Sequence, residues 1–311
     1  METNNENGQV NTFQNKVVSG TINPIKRIIQ LSNLNLNSCF RDNYYKTNSC
    51  NFVYTIPDQI KNVISMRLAS IEIPNSWYLY SYDKNNNRFK IEITICRKCS
   101  VYEIVIPDGN YDKDSLVAYL NSKYFCDSEE KTNLQYLKFS ISDYGNKSIF
   151  EIVSNAPDDF VFSLHFTQEF NENMMETFGW SLGFRLARYL NIDDVIQSEG
   201  LFDGGGDRYI YLSINDFLNN SNSSNIVCFD KTTLNEPVIA KVPMVNGKLA
   251  LVLDENNGNP LTKIRLYNGP IRLKKLEIRV LDKFGNIIDL NNMDFSFTLE
   301  LELLYERNSI V

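Results

Sequence analysis

Apolar residues recur at every second position along most of this chain, in short runs separated by turn-forming residues. From 295 to 305, Phe, Leu and Tyr occupy the odd positions, while Ser, Thr and Glu occupy most of the even ones. This period of two is that of a β-strand with one buried face. The pattern predicts strands at 51–56, 62–73, 88–95, 101–106, 136–142, 148–153, 160–166, 208–214, 237–243, 248–253, 262–267, 272–281 and 295–305.

Short strands with turn signals between them are typical of an all-β protein. We therefore predict an antiparallel β-sandwich or a barrel, and the pattern leaves open whether a sandwich is single or double. One helix interrupts the strands, where Asp112 or Asp114 can cap a segment with Leu116, Tyr119 and Leu120 on one face. We expect this helix to be short and to pack across the sandwich edge.

The segment from 39 to 82 is the most strand-like part of the chain. Pro57 and Pro74 should each end a strand, because proline cannot donate to a sheet ladder. Between them, Ile64, Met66 and Leu68 share one parity and Ile71 and Ile73 have the other. This slip of one residue near Ala69 and Ser70 predicts a β-bulge.

An aromatic group follows Pro74, next to a turn-like run at 83–87. Two interpretations remain open, since these rings could cap the protein's own core or form a contact surface. The residues are Trp77, Tyr78, Tyr80 and Tyr82.

The chain divides into an arm and a β-region. Residues 1–28 are polar and without period, so we predict a flexible arm that is either a disordered tail or ordered against a neighbouring molecule. Residues 29–311 form the sandwich domain or domains, with a loop-rich insertion at 170–206. Near the end, the strands at 272–281 and 295–305 should form a pair around a turn at 282–286.

Composition narrows the function. A chain of 311 residues with 43% hydrophobic residues can bury a core without disulfides, so its six cysteines are expected to be free thiols in a reducing compartment. The net charge of −7 argues against a nucleic-acid partner, which requires a basic face. We see no signal-peptide h-region and no apolar run of the roughly 20 residues that a membrane span needs.

The residues that could carry catalysis are sparse. His165 is the only histidine, so a Ser-His-Asp triad could be built only around it, and the chain has no Gly-x-Ser-x-Gly motif. Cys96 and Cys99 form a lone Cys-x-x-Cys without the second pair that a structural zinc site usually has. We predict that the protein is not an enzyme.

Ligand-binding loops are equally weak. Gly204 to Gly206 is not followed by Gly-Lys-Ser/Thr, and the runs at 83–87 and 254–259 depart from the calcium-loop pattern. We therefore predict no cofactor and no metal.

Several scattered blocks of the chain form a recognisable set. They are 40–42 (FRD) with a Phe-x-Tyr strand and Pro57 after it, 66–68 (MRL), 71–78 (IEIPNSWY), 106–111 (IPDGNY), 179–185 (GWSLGFR), 198–200 (SEG), 208–211 (RYIY) and 294–300 (DFSFTLE). Together these blocks resemble structural proteins of large nucleocytoplasmic DNA viruses, the giant viruses, of the minor capsid or penton-like kind. The resemblance implies a jelly-roll or related β-sandwich, no catalysis, and assembly into an icosahedral shell of virions made in the host cytoplasm. It also implies homo-oligomers and contacts with other capsid proteins, including the major capsid protein.

Two functions follow as hypotheses. The first is a capsid component that acts through protein–protein contacts, and the alternative is a carbohydrate-binding or host-attachment module with Trp77, Tyr78 and Tyr80 as a stacking platform. Trp, Tyr and Arg often dominate interface energies. We therefore expect contacts from the arm and from six side chains: Trp77, Tyr78, Tyr80, Tyr82, Trp180 and Arg185.

Overall fold

The fold is all-β and built from antiparallel sheets, as the two-residue period predicts. A computed structural model describes residues 28–167, 173–190, 194–218, 221–222, 227–229, 232–234, 236–255 and 264–305. The strands are β1 (Ile28–Asn37), β2 (Asn51–Pro74), β3 (Arg88–Ile95), β4 (Lys98–Val105), β5 (Leu137–Ile141), β6 (Ser148–Ile152), β7 (Val161–His165), β8 (Arg188–Leu190), β9 (Val195–Gln197), β10 (Tyr209–Asn215), β11 (Ser221–Asn222), β12 (Val227–Phe229), β13 (Thr232–Leu234), β14 (Val238–Pro243), β15 (Leu251–Glu255), β16 (Arg265–Leu281) and β17 (Ser296–Tyr305). The helices are α1 (Lys113–Lys123) and α2 (Phe178–Ser181), with short 3₁₀ turns at Ser38–Phe40, Tyr44–Lys46, Asn133–Tyr136 and Met174–Glu176.

The largest sheet has the strand order β1-β17-β2-β16-β10-β14, with β15 also paired to β2 and β11 to β16. The other sheets have the orders β4-β3-β7-β8, β5-β6-β9 and β12-β13. The predicted arm at 1–28 lies outside the described residues apart from Ile28, which begins β1.

Strand β2 runs through the position at which Pro57 was expected to end it. Thr55 pairs with Lys275 and the next pair is Ile60 with Leu273, so the residues between them fall where the register with β16 shifts. Proline is tolerated at such an irregularity because no ladder bond is lost there. The predicted strands 51–56 and 62–73 are therefore one bent strand. The predicted strand 262–267, which is described from 264 onward, likewise joins 272–281 from Arg265 in the single strand β16.

The predicted bulge in β2 is confirmed. Thr298 pairs with Ser70 and Leu299 with Leu68, which leaves Ala69 as the extra residue. A second bulge was not predicted: Glu302 pairs with Ser65 and Leu303 with Val63. It brings Val63 into the core in place of the expected Ile64, and Val63 is 0% exposed.

The expected hairpin at the end of the chain does not form. The turn is present, because Asp282 accepts bonds from the amides of Phe284 and Asn286, and Gly285 has a φ of 90°. However, β16 and β17 lie on opposite sides of β2. The buried residues Ile288, Leu290 and Phe295 separate the turn from β17, so the chain passes along the core before it returns.

The buried apolar side chains sort into two cores. The first core is formed by residues between 36 and 77 and between 210 and 301, and the second by residues between 80 and 202. The segment 170–206 supplies Phe178, Leu182, Phe184, Ile196 and Phe202 to the second core. The chain therefore enters the first core, builds the second, and returns to complete the first.

The predicted helix is confirmed as α1. The Asp112 carboxylate accepts from the Ser115 amide at 2.8 Å, which caps the helix start. Leu116 and Leu120 are 0% exposed and belong to the second core. The helix is thus held by one apolar face.

A buried ion pair connects β16 to the segments next to β10 and β14 in the large sheet. The Arg265 guanidinium lies 3.2 Å from the Asp216 carboxylate, and the Tyr267 hydroxyl donates to the same carboxylate at 2.7 Å. Arg265 also donates to the Pro237 carbonyl at 2.8 Å. Burial beside this carboxylate raises the pKa of Tyr267, so the phenol stays protonated and remains a donor.

We predict that Asp216→Ala lowers the free energy of unfolding by about 3–5 kcal/mol, because it leaves the Arg265 charge buried without its partner. Urea denaturation followed by fluorescence measures the change. Lys113→Ala is the matched control, since Lys113 pairs with Asp143, whose side chain is 84% exposed, and its loss should have little effect. Equal losses in the two variants would contradict the prediction.

Candidate contact surface and the cleft between the two cores

The aromatic group after β2 alternates between core and surface. Trp77 and Tyr80 are each 1% exposed, whereas Tyr78 is 38% and Tyr82 63% exposed. Trp77 belongs to the first core and Tyr80 to the second, so this segment is the passage between them. Each of the two open interpretations therefore describes two of the four rings, and the contact role of the exposed rings stays a prediction.

The stacking platform for a carbohydrate is not formed by the three residues expected for it. A platform needs exposed rings, and only Tyr78 of the three is exposed. The cause is the short span between the cores, where alternating side chains must fill both interiors. The alternative hypothesis therefore has no support from this aromatic set.

Hydrogen bonds fix the passage on both sides. The Ser76 hydroxyl donates to the Leu290 carbonyl at 2.7 Å on the first core. Tyr80 and Gly109 exchange backbone bonds on the second core, with nitrogen–oxygen distances of 3.1 and 3.0 Å. The exposed rings are consequently held on a rigid backbone.

Tyr82 is the most constrained of the exposed rings. The Arg88 guanidinium lies 4.2 Å from the centroid of the Tyr82 ring, and the backbone amide of Tyr82 donates to the Asp108 carboxylate at 2.8 Å. An exposed aromatic side chain that is already held in place loses little conformational entropy on binding. Tyr82 is thus an exposed ring held in place before any binding, and its contact role stays a prediction.

A cleft of about 750 Å³ separates the two cores. Four of the six predicted contact residues line it, namely Trp77, Tyr80, Trp180 and Arg185, whereas Tyr78 and Tyr82 do not. The opposite wall is built from the turn after β16, and the charged residues of the lining are Asp83, Lys84, Glu176, Arg185, Asp203, Asp207, Asp282, Lys283 and Asp289.

Arg185 and Trp180 form one rim of the cleft. The Arg185 guanidinium lies 4.0 Å from the centroid of the Trp180 ring and donates to the Trp180 carbonyl at 3.0 Å. Its amide donates to the Glu199 carboxylate at 3.2 Å. Most of the hydrogen bonds of Arg185 therefore stabilise the segment 170–206, and only its remaining donors are available to the cleft.

Two glycines permit this close packing. Gly183 has a φ of +94°, and a Cβ there would lie 2.4 Å from the Gly200 carbonyl oxygen. A Cβ on Gly200 would lie 2.4 Å from an Arg185 nitrogen. The segments 179–185 and 198–200 therefore approach closely because Gly183 lacks a side chain, whereas a side chain at Gly200 would require Arg185 to move.

Polar contacts span the cleft. The Asn286 side-chain amide donates to the Glu176 carboxylate at 2.9 Å, which joins the turn after β16 to the segment before α2. Lys283 lies 3.6 Å from the Asp207 carboxylate. Burial raises the pKa of Asp282, against the effect of the two backbone amides that bond to it.

Lys248 is half-buried and lies beside the cleft. Its ammonium lies 4.4 Å from the centroid of the Trp77 ring and donates to the Trp77 carbonyl at 3.0 Å. Burial lowers its pKa to about 8, and the charge of Asp207 works in the other direction. The lysine thus fixes the passage at Trp77 while carrying a desolvated charge.

His165 does not form a catalytic triad. The Ser163 hydroxyl lies 2.9 Å and the Glu92 carboxylate 3.3 Å from the imidazole, but both contact the same atom, Nε2. A triad needs the nucleophile on one ring nitrogen and the acid on the other. Burial and the charge of Arg188 lower the pKa of His165, so this histidine is a neutral side chain on the polar face of the β3–β7 pair at pH 7.

Cys96 and Cys99, the two exposed cysteines of the described ranges, are not arranged as a reactive site. Cys96 and Cys99 are exposed, and the Asp159 and Glu92 carboxylates beside them raise the pKa of each thiol. A raised pKa lowers the fraction of thiolate, which is the nucleophilic form. Within the described ranges, no group of three or more His, Cys, Asp or Glu side chains could hold a metal ion.

Sequence analysis missed several residues of the cleft, because they converge from separate segments. Glu176, Asp207 and Asn286 of the lining, and Lys248 beside it, are single polar residues in turns and loops, without a motif around them. The one available signal was the density of Gly, Asp and Asn in those loops, which is also the composition of ordinary turns.

Comparison with known proteins gives distant structural likenesses. No family model matches the sequence. No curated protein matches it either. The structure is similar to the crystal structure of the selenomethionine-labelled mavirus penton protein, with a TM-score of 0.47 and 10% sequence identity, over 88% of this chain and 100% of that one. None of the helices in the described part of the chain is long and apolar enough to cross a membrane.

We predict that Gly183→Ala lowers the free energy of unfolding by on the order of 2–4 kcal/mol, since it adds left-handed strain and a clash with the Gly200 carbonyl. Thermal and urea denaturation measure the loss. Gly247→Ala is the matched control, because a Cβ at Gly247 meets nothing within 4 Å. The packing argument would be wrong if both variants unfolded alike.

We predict a pH-dependent gain in stability from Lys248. Its pKa is about 8 in the folded chain and near 10.5 in the unfolded chain, so between these values the unfolded state binds more protons and the free energy of unfolding rises with pH. Lys248→Met should remove this rise, measured by urea denaturation at pH 7.5 to 10. Lys283→Met, at a 40% exposed side chain near the same Asp207, should retain it.

Proposed function

We propose that this protein is a structural component of an icosahedral viral capsid, of the minor capsid or penton-like kind, which acts by protein–protein contacts in the virion. The observation that carries the proposal is that the sequence blocks resembling such proteins contact one another in the folded chain.

The first and last blocks meet at one end of the first core. The Arg41 guanidinium lies 2.8 Å from the Asp294 carboxylate, with side chains 8% and 27% exposed. The Ser38 hydroxyl donates to the same carboxylate at 2.6 Å. The block 40–42 thus fixes the start of the block 294–300.

Two further pairs behave in the same way. Arg67, in the block 66–68, donates to Glu300 at 2.7 Å across β2 and β17. Gly200, in the block 198–200, donates its amide to the Gly183 carbonyl of the block 179–185 at 2.8 Å. The blocks are therefore positions that hold the fold, which supports a resemblance of the whole architecture.

A role in assembly also agrees with the chemistry of the described residues. The single histidine contacts Ser163 and Glu92 through one nitrogen, and the two exposed thiols lie beside carboxylates. The surface instead presents exposed aromatic rings held by neighbouring residues, among them Tyr82. Such residues stabilise protein interfaces.

Particle fractionation tests the proposal. We expect the protein to sediment with intact particles at a fixed ratio to the major shell protein, and to remain after washing in high salt. A protein found in infected-cell lysate but absent from purified particles would refute a capsid role.

A pair of tyrosine variants tests the contact surface. Tyr82→Ser should reduce incorporation into particles severalfold, because it removes a pre-organised aromatic contact. Tyr144→Ser is the matched control, since Tyr144 is fully exposed but lies in the turn between β5 and β6, away from the aromatic group. Equal incorporation of the two variants would exclude Tyr82 from the contact.

A further inference from the structure

The edge strand β1 lacks the features that normally prevent an exposed strand from pairing. Its sequence, IIQLSNLNLN, runs for 10 residues without a charge or a proline. Its register with β17 is continuous from Ile28 with Tyr305 to Asn37 with Ser296, without a bulge. Within the described ranges, β1 is paired to β17 alone.

The other described edge strands are protected. The opposite edge of the same sheet, β14, is six residues long, carries Lys241 and ends in Pro243, and its register with β10 has a bulge. The edge strands β4, β5 and β15 carry charged residues, and β8, β9, β11, β12 and β13 have at most three residues. Proteins use charges, prolines, bulges and short length to prevent edge-to-edge pairing.

Backbone geometry shows which groups of β1 are free to pair. The Ser38 amide bonds to the Phe295 carbonyl at 2.9 Å, so Ser38 points its backbone groups toward β17. Backbone groups alternate in direction along an antiparallel strand. The even residues of β1 therefore bond to β17, and the odd residues, Ile29, Leu31, Asn33, Asn35 and Asn37, direct their N–H and C=O groups to the open edge.

The side chains at the edge favour a second strand. Ile29 and Leu31 are 47% and 61% exposed on the outer face, while Leu36 on the inner face is 3% exposed and belongs to the first core. Another strand added here would cover exposed apolar area on one face and extend the core on the other. Strand addition to an exposed edge is an established mode of recognition.

The edge is complementary to itself. In an antiparallel pair of two β1 strands centred on Asn33, Leu31 lies opposite Asn35 of the second copy, and Ile29 lies opposite Asn37. This register uses every outward backbone group of the strand. Because β1 has no charge, it places no like charges opposite each other.

We propose that β1 pairs with β1 of a second copy of this chain, antiparallel about a two-fold axis at Asn33, so that the two large sheets become continuous. This pairing rests on the proposed assembly role, to which it gives a defined partner. Its evidence is the geometry of the strand edge, so the pairing can be disproved while the assembly role stands. It contains no ion pair between the two β1 strands, so raising the salt concentration should not weaken it, although each copy carries a net charge of −7.

Cysteine cross-linking tests the register, in a background where the exposed Cys96 and Cys99 are changed to serine. Paired residues of an antiparallel ladder have Cα atoms about 5.5 Å apart, within the range of a disulfide. Asn33→Cys should therefore give a disulfide-linked dimer under mild oxidation. Asn35→Cys is the matched control, because its two copies would be separated by about four residues along the strand, roughly 14 Å, and should cross-link severalfold less.

A double variant and a charge variant complete the test. Leu31→Cys with Asn35→Cys should restore the cross-link, since these positions face each other in the proposed register. Sedimentation velocity should show a dimer for the wild-type chain and a monomer for Asn33→Lys, with unfolding unchanged because this exposed position bonds outward.

The proposal is overturned by a wild-type chain that is monomeric at every soluble concentration, which would mean that the edge is covered by the chain itself or left free. It is equally overturned by a dimer in which Asn33→Cys and Asn35→Cys cross-link to the same extent. If Asn33→Lys is monomeric but still enters particles, the pairing is dispensable for assembly and the capsid role stands. If the Asn33→Cys protein cross-links as expected but the protein is absent from particles, the pairing stands and the capsid role is refuted.

Discussion

The large sheet depends on β2, which is hydrogen-bonded along both of its sides. It pairs with β16 and β15 on one side and with β17 on the other. Residues from both of its halves are buried, including Phe52, Met66 and Ile73. Since β1, β10, β11 and β14 attach to β16 or β17 directly or through one further strand, the position of β2 fixes the position of every strand in this sheet.

Such a long strand can serve one compact core only if it bends. The register irregularities at Ala69, at Ile64 and around Pro57 supply the bends, and Asn62 adopts a φ of 62° between them. Bulges and left-handed residues in a strand increase its local twist and change its direction. Pro57 and the change of parity near Ala69 thus mark the bends of one curved strand and not the ends of two successive strands.

The passage from β2 into the second core explains why a cleft exists. Trp77 is anchored in one core and Tyr80 in the other, so the cores are joined at a short and rigid connection. Lys248 holds Trp77 from the first core, and the Asn286–Glu176 bond spans the opposite side. The polar residues of the cleft are mostly bonded to each other or to backbone, which makes the cleft a supported junction, and the exposed rings Tyr78 and Tyr82 lie outside its lining.

Much of the fold could be predicted from the sequence by itself. The two-residue period located β3, β10, β14 and β17 within a residue or two, and the capping aspartate located α1, because these signals are local. The phase slip at Ala69 was equally local, since a bulge changes the parity of the buried side chains on either side of it.

Tertiary structure alone decided how those elements are connected and which side chains are available. The pattern at 272–281 and 295–305 predicted a hairpin, but β2 lies between these strands and pairs with both. The period of a strand shows which face is buried and does not show which strand lies beside it. The six predicted contact residues were chosen by type, whereas their exposure depends on which core each ring enters. The charged lining of the cleft converges from distant loops, and the open edge of β1 exists only because no other described strand occupies its outer side, so neither could be recognised before the chain was folded.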